Sequence, residues 1–347
     1  MAEQNPFGGA YDSSLTASVR SFHAGAEVVA AGFPGGAPAL ALADGGVLFV
    51  DTGTRVTPHP DAAILLAQID GERIVTGGDD GRVVETRPDG TMVEIGDEKG
   101  RWIDALALRA DGAIAWSAGK QVRARDPKGV VKNFEAPSSV RGLAFLPKGY
   151  RLAMSHYNGV SLWFPNVAGT PDTLKWQGSH LDLAISPDGA FCVTAMQENA
   201  LHGWRIADKK DMRMTGYPGK TRSFSFSSDG QWLATSGADA CVVWPFQTKD
   251  GPMGKPPREC GVRPNKVSRV AFHPTGPVIA IGYEDGWILF SRIADGAELL
   301  VRKGLDENET APARAKPIVS ALAWDAPGKR LLFGLETGEA GLLPLPL

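Results

Sequence analysis

The chain has 347 residues, of which 43% are hydrophobic, and a formal net charge of −3. A chain of this length can bury a sizeable core, but it is too long for one ordinary domain unless it forms a barrel or an array of repeats. The small net charge excludes a protein that holds nucleic acid or an anionic membrane by a general basic field.

Residues 1–14 lack the charged segment and apolar run of a secretory signal, and we expect them to form a flexible tail. No run of about 18 apolar residues occurs, so the sequence predicts no membrane span. The three cysteines, Cys192, Cys241 and Cys260, have no CxxC spacing, which favours free thiols over a metal site. These features predict a cytoplasmic protein with one domain over residues 15–347.

From its first strands onward the chain repeats one pattern eight times. Each copy has an apolar strand, a turn such as Ser186-Pro187-Asp188-Gly189, a second strand, a polar turn and a third strand. The copies recur about every 40 residues, which is typical of stacked four-stranded units. The residues that close the first strands are Phe33, Ile69, Leu108, Phe145, Ile185, Phe226, Phe272 and Trp324.

Apolar residues alternate with small or polar ones at period two, as in FSFSS and WLATSG, which predicts an all-β chain. A weaker fourth strand follows in seven copies. In chain order these segments are TRVTPH, TMVEIG, VVKNFE, TLKWQG, MRMTGY, PPREC and AELLVR. The eighth copy ends at Leu347 after its third strand, so we predict that residues 15–22 supply its fourth strand and close a ring, which removes exposed sheet edges.

These copies resemble the WD40 repeat over about residues 15–347. Trp163, Trp204 and Trp244 lie where the repeat tryptophan of that family falls, and His180 resembles its Gly-His element before the innermost strand. The sequence departs from the family because no Asp follows any of these tryptophans. Only the copy with His180 and Trp204 carries even two members of the family's His–Ser/Thr–Asp–Trp network.

The resemblance implies a closed β-propeller of four-stranded antiparallel blades. Eight copies predict eight blades, with the N-terminal strand completing the last one. The alternative is seven blades with a decorated terminus, because the first copy has Gly-rich strands and a long span precedes the eighth.

No residues form a pattern typical of catalysis or metal binding. The six histidines are dispersed without HxH or HExxH spacing. Asp188 and Asp229 recur at the same turn, where Asp bonds its own backbone, so we interpret both as structural residues. The sequence therefore predicts no enzyme activity, no cofactor and no metal.

Surface recognition is then the expected use of such a rigid scaffold. The loops that enter the first strands, and those that join the second and third strands, meet at one mouth of the channel. We expect arginine and aromatic side chains there to anchor a partner. The candidates are Trp102, Arg141, Arg222, Arg269, Tyr157 and Trp287. The alternative is that Arg141 and Arg222 pair with carboxylates of neighbouring blades.

The sequence thus predicts a non-catalytic scaffold that binds a protein or peptide, with an acidic segment best suited to the arginines. It would act as a monomer or as a subunit of a hetero-complex, without nucleic acid or membrane. The alternative function is a lactonase- or hydrolase-like propeller enzyme with a metal in the channel. The loop over residues 304–317 is charged and poor in apolar residues, so we expect it to be mobile. The sequence of the loop over residues 247–266 predicts no particular role.

Overall fold

The computed structural model describes residues 14–305 and 316–345. Within them, β-strands and two short 3-10 helices, η1 (Thr16–Ser18) and η2 (Pro34–Gly36), make up the regular structure, which confirms the all-β prediction. The predicted tail, apart from Ser14, and most of the predicted mobile loop over residues 304–317 lie outside the described residues.

Thirty strands follow one another along the described chain. Their bounds are β1 (Arg20–His23), β2 (Val28–Gly32), β3 (Ala39–Leu42), β4 (Val47–Phe49), β5 (Thr54–Val56), β6 (Ile64–Ile69), β7 (Ile74–Gly78), β8 (Arg82–Thr86), β9 (Met92–Asp97), β10 (Ala105–Leu108), β11 (Ile114–Ala118), β12 (Gln121–Arg125), β13 (Val131–Glu135), β14 (Gly142–Phe145), β15 (Leu152–Trp163), β16 (Asp172–Ile185), β17 (Phe191–Met196), β18 (Leu201–Arg205), β19 (Lys210–Met214), β20 (Phe224–Phe226), β21 (Trp232–Thr235), β22 (Cys241–Pro245), β23 (Arg258–Cys260), β24 (Val267–Phe272), β25 (Val278–Tyr283), β26 (Ile288–Arg292), β27 (Glu298–Arg302), β28 (Val319–Trp324), β29 (Arg330–Leu335) and β30 (Glu339–Pro344).

The described strands form seven antiparallel sheets. Six of these have four strands, in the orders β2-β3-β4-β5, β6-β7-β8-β9, β10-β11-β12-β13, β20-β21-β22-β23, β24-β25-β26-β27 and β1-β30-β29-β28. The remaining sheet has six strands, from β14 to β19 in chain order. The architecture is a β-propeller of antiparallel blades.

Counted as hydrogen-bonded sheets, the propeller has seven blades, so the prediction of eight separate four-stranded blades is wrong. The fourth and fifth sequence copies share the six-stranded sheet because β16 continues without a break from one copy into the next. Within the fourth copy, β15 also changes partner without a break. Residues 152–155 of β15 pair with β14, whereas residues 159–162 pair with β16. Likewise, β16 pairs with β15 from Asp172 and with β17 from His180. The alternative of seven blades placed the irregular part of the repeat array at a terminus. In the structure the irregular unit is the six-stranded sheet, which lies in the middle of the chain.

Strand β1 is the fourth strand of the last sheet. It pairs antiparallel with β30, from Arg20 opposite Leu342 to His23 opposite Glu339. This strand begins later than the predicted segment over residues 15–22, because residues 16–18 form η1. The backbone N–H of Leu15 donates to the Leu300 carbonyl of β27 at 2.7 Å. The described N-terminal segment is therefore held by the last two sheets.

The core lies between the faces of neighbouring sheets, and glycines in second strands allow close packing there. A Cβ at Gly282 of β25 would lie 2.5 Å from Val319 Cγ1, and one at Gly334 of β29 would lie 2.6 Å from Val28 Cβ. The side chain of each valine fills the space that a larger residue would need. The last sheet thus packs on the first in the same way as the seventh sequence copy packs on the eighth.

Candidate functional site at the channel mouth

Side chains from all eight copies line one cavity of about 1020 Å³. The cavity lies at the end of the channel where the first strands begin, since Glu27 and Arg141 each precede a first strand. Ala43 and Glu336, from hairpins between second and third strands, lie at the same end. The charged residues that line it are Glu27, Asp104, Arg141, Asp182, Lys220, Arg222, Arg269 and Glu336.

Four cations from the sixth and seventh copies, Lys220, Arg222, Lys266 and Arg269, line a second cavity of about 250 Å³, and we call them the basic sector. Arg269 is half-buried, and its Nε donates to the Ser320 carbonyl at 2.7 Å. Arg222 is exposed, and within residues 14–305 and 316–345 its guanidinium has no hydrogen bond or ion pair. The alternative of pairing with a neighbouring carboxylate is therefore wrong for Arg222.

Two carboxyl groups near the basic sector have raised pKa values. Burial raises the pKa of Asp182 to about 6, although Arg269 acts in the opposite direction. Burial and the neighbouring charge of Glu27 raise the pKa of Glu336, with Arg269 and Arg222 again opposing. Because Asp182 loses its charge as the pH falls through about 6, the mouth becomes more positive under mildly acidic conditions.

Arg141 differs from Arg222 because it has an acidic partner from another copy. Its Nη1 lies 3.2 Å from Asp104 Oδ1, and 60% of its side chain is exposed. Asp104 also accepts a hydrogen bond from the Gly119 N–H at 2.7 Å, which fixes the carboxylate. An exposed pair of this kind contributes at most about 1 kcal/mol to stability. The alternative of cross-blade pairing therefore holds for Arg141.

Two aromatic candidates from the third and fourth copies, Trp102 and Tyr157, are 64% and 59% exposed; we call them the aromatic sector. Trp102 lies between β9 and β10, and the backbone N–H of Tyr157 donates to Ser138 Oγ at 2.8 Å. Large aromatic side chains with this exposure can add apolar contact area to a binding surface.

Trp287 is a core residue, so its prediction as an exposed anchor is wrong. It is only 7% exposed, and its Nε1–H donates to the Leu305 carbonyl at 3.2 Å. The Arg263 guanidinium covers the indole at 3.7 Å from the ring centroid. The indole is therefore covered by chain segments that precede β24 and follow β27.

The repeat residues His180 and Trp204 contact each other inside the fifth copy. His180 Nδ1 lies 2.7 Å from Thr194 Oγ1, and Thr194 in turn donates to the His202 carbonyl at 3.0 Å. The fully buried Trp204 ring lies 5.6 Å from the His180 ring, centroid to centroid. This arrangement links three consecutive strands through buried polar groups.

The other two repeat tryptophans are also buried, with different partners. Trp163 packs against Phe134 at a centroid distance of 5.4 Å. Trp244 Nε1–H donates to Tyr217 Oη at 2.6 Å, and the Tyr217 hydroxyl lies 2.6 Å from Thr235 Oγ1.

Asp188 and Asp229 organise the turns between first and second strands. Ser227 Oγ donates to Asp229 at 2.5 Å, and the Gln231 N–H donates to the same carboxylate at 3.0 Å. These hydrogen bonds, that of the Ser227 hydroxyl foremost, lower the pKa of Asp229. Asp188 accepts the equivalent bond from Ser186 Oγ at 2.6 Å.

A buried polar cluster in the second copy is absent from the sequence prediction. His59 Nδ1 lies 3.0 Å from an Asp80 carboxylate oxygen, and its Nε2 lies 2.8 Å from Thr76 Oγ1. The interpretation that only the copy with His180 holds two network members is therefore wrong. The signal that could have identified this cluster is the Thr inside the apolar segment IVTGG, because a buried hydroxyl needs a partner.

Within residues 14–305 and 316–345, no three His, Cys, Asp or Glu side chains are arranged to hold a metal ion. In the same ranges, no helix has the length and apolar character needed to cross a bilayer.

The fold and the channel define a β-propeller protein, and comparison with known proteins shows which proteins it is similar to. Residues 211–244, which extend from β19 to β22, match the family model described as "WD domain, G-beta repeat". This match covers one of the sequence copies and supports the similarity of the chain to WD40-repeat β-propellers.

Two curated relatives and one solved structure illustrate this similarity. The "Periodic tryptophan protein 2 homolog" of Schizosaccharomyces pombe is 25% identical over 33% of this chain and 13% of its own length. The "Small ribosomal subunit protein RACK1z" of Oryza sativa is 24% identical over 35% of this chain and 37% of its own length. The alignments thus span about an eighth and about a third of these relatives. The crystal structure of the computationally designed Ika8 protein superposes with a TM-score of 0.74 at 18% identity, covering 93% of this chain and 98% of that one, and this likeness concerns the fold alone.

Proposed function

We propose that this protein is a non-catalytic scaffold whose channel mouth binds an acidic segment of a partner protein. The observation that carries the proposal is the pair of exposed cations Arg222 and Lys266, which line one cavity and have no ion pair within the described ranges. A partner carboxylate can bind these cations without breaking a hydrogen bond or an ion pair between described residues, although Glu336, which lines the same cavity, already interacts with the charge of Arg222. Arginine anchors in such positions commonly dominate the energy of binding.

The aromatic sector extends this proposed surface. Trp102 and Tyr157 belong to copies that precede the basic sector in the chain, and both are more than half exposed. A partner that contacts them gains apolar contact, while its acidic groups contact the basic sector. The name of the rice relative, a ribosomal subunit protein, supports membership of a protein assembly.

The proposal includes a closed ring in a cytoplasmic protein. The pairing of β1 with β30 and the contact of Gly334 with Val28 support closure, because both tie the end of the chain to its beginning. The cysteines Cys192, Cys241 and Cys260 are free and buried, which suits a compartment that keeps thiols reduced. In this proposal the protein acts as a monomer or as one subunit of a hetero-complex, without nucleic acid or membrane.

The double variant Arg222→Ala/Lys266→Ala tests the proposal. Affinity capture from the native host, quantified by mass spectrometry, should identify a partner that binds the wild type. The amount of this partner that is captured should fall by about tenfold or more with the double variant, which is equivalent to about 1.4 kcal/mol of binding free energy. The matched control is Arg213→Ala, because Arg213 is exposed on β19 but does not line the cavity. Arg141 is a poorer choice, since its loss would leave Asp104 unpaired.

Salt and metal analysis complete the test. Rising salt should weaken capture of the partner, since the proposed contacts are exposed charges. If every captured protein persists with the double variant, the basic sector is not the binding surface. A stoichiometric metal in the purified protein would instead favour the alternative of a metal-dependent propeller enzyme.

A further inference from the structure

Cys241 and Cys260 lie directly opposite each other on neighbouring antiparallel strands. Cys241 begins β22, Cys260 ends β23, and the two residues are partners in the strand register. Opposed residues of an antiparallel pair have Cα atoms about 4.5 to 5.5 Å apart. A disulfide needs a Cα separation of about 4.4 to 6.8 Å, so the backbone already meets this requirement.

The two thiols also share one environment. Both belong to the same buried cluster, between the sheet of β20 to β23 and the sheet of β24 to β27. Cross-strand partners project from the same face of a sheet, so the sulfur atoms lie on the same side. Burial raises the pKa of Cys260 and, with the nearby charge that a Cys260 thiolate would carry, raises that of Cys241 well above its usual value.

We propose that Cys241 and Cys260 are a reversible disulfide-forming pair that a small disulfide such as oxidised glutathione converts into a cross-strand bond. In the first step the Cys260 thiolate attacks a glutathione sulfur, forms a mixed disulfide and releases one glutathione thiolate. The Cys241 thiolate then attacks the Cys260 sulfur and displaces the second glutathione. Two protein thiols thus lose two protons and two electrons, and one oxidised glutathione becomes two reduced molecules.

The edge strand controls access to this pair. Strand β23 has only three residues, Arg258–Cys260, and it pairs with β22 alone. Short edge segments open locally far more often than the whole protein unfolds. Since both thiols are buried and protonated when β23 is in place, reaction takes place when β23 separates, and Cys260 reacts first. The product covalently attaches β23 and the long loop before it to the sheet.

Cys192 provides an internal control. It is buried in a different cluster, opposite Ile185 on one neighbouring strand and Trp204 on the other. No cysteine faces it among the described strand partners. Under the same treatment it should remain a free thiol.

Peptide mapping of the wild-type protein tests the proposal without any substitution. Folded protein is incubated with oxidised glutathione, denatured, alkylated and digested without reduction. We expect a linked peptide that joins Cys241 to Cys260, alkylation of Cys192 alone, and full reversal by dithiothreitol. Three alkylated cysteines, a link that includes Cys192, or glutathione held on Cys260 with no linked peptide would each overturn the proposal.

Single variants test the order of the steps. Cys241→Ser should accumulate glutathione on Cys260, whereas Cys260→Ser should form neither the link nor an adduct, and Cys192→Ser should behave as the wild type. Amide hydrogen exchange over residues 258–260 should slow by about tenfold in the oxidised wild type, because the bond prevents separation of β23. Unchanged exchange in the linked protein would overturn the inference that the bond holds β23 on the sheet.

Discussion

Replacement of His202 by Phe should make the protein more resistant to acid. The His202 ring is 0% exposed and lies between two tryptophans, stacked on Trp176 at a centroid distance of 4.0 Å and edge-on to Trp204 at 4.7 Å. Neither ring nitrogen has a hydrogen-bond partner among the described residues. Asp211 Oδ2 lies 3.7 Å from Nε2, beyond hydrogen-bond distance. A proton added to this ring would therefore create a buried charge with little compensation.

The magnitude follows from the pKa of His202. Burial, together with His180 and Arg213, lowers this pKa from 6.5 to about 4, with Asp211 opposing. Between these two values the unfolded chain binds a proton that the folded protein does not. The free energy of unfolding therefore decreases as the pH falls from about 6.5 to about 4. At about 1.4 kcal/mol per pH unit, His202 accounts for a loss of at most about 3 kcal/mol, and for none above pH 7.

Urea unfolding, monitored by tryptophan fluorescence at a series of pH values in this range and at constant ionic strength, measures the free energy of unfolding. At neutral pH His202→Phe should lie within about 1 kcal/mol of the wild type, because an aromatic ring is retained and no hydrogen bond is lost. The advantage of the variant should then grow as the pH falls. Asp211→Asn, which keeps the buried imidazole, should remain acid-sensitive. Parallel pH profiles for His202→Phe and the wild type would refute the reasoning.

Two further predictions concern buried contacts, and urea unfolding at neutral pH measures both. Tyr217→Phe removes the acceptor of the Trp244 indole N–H and should lower the free energy of unfolding by about 1 to 3 kcal/mol; a change below about 0.5 kcal/mol would contradict this. Gly334→Ala forces a methyl group against Val28 and should cost about 1 to 3 kcal/mol. Gly71→Ala, where a Cβ meets nothing within 4 Å, is its control and should be near neutral, so equal losses would disprove the close packing of the last sheet on the first.

The strands could be predicted from the sequence because each is specified by residues close to it in the chain. Residues chosen to close the first strands, such as Ile69, Leu108 and Phe272, are the last residues of β6, β10 and β24. Period-two alternation and the turn residues carry this information within each copy. The number of sheets depends instead on whether hydrogen bonding continues between copies. Strand β16 continues without a break from its pairing with β15, at Asp172, to its pairing with β17, at His180, so it joins the fourth copy to the fifth. No local pattern in residues 172–185 distinguishes this segment from the corresponding connections between other copies.

The candidate site was harder to predict because its contacts join distant parts of the chain. Arg141 and Arg222 enter their first strands at equivalent positions, yet among the described residues only Arg141 forms an ion pair, with Asp104 of the preceding copy. Trp287 looks like a hairpin residue in the sequence, but Arg263 covers it from another segment. Burial and pairing of this kind depend on the packing of neighbouring copies, which a single repeat does not encode.

A buried threonine in the second strand, rather than the repeat tryptophan, is the common element of the polar clusters. Each of these threonines donates its hydroxyl to a third-strand carbonyl and also bonds to a ring that precedes the first strand or, for His180, begins its pairing with the second strand. The ring–threonine pairs are His59–Thr76, His180–Thr194 and Tyr217–Thr235. Because the entry loops differ in length, a search at the fixed spacing of His180 misses the other two rings. A buried hydroxyl inside an apolar strand needs partners wherever they lie in the sequence. The threonine is therefore the more reliable marker of the network, and it explains how these copies keep a buried link between strands without a Trp-Asp pair.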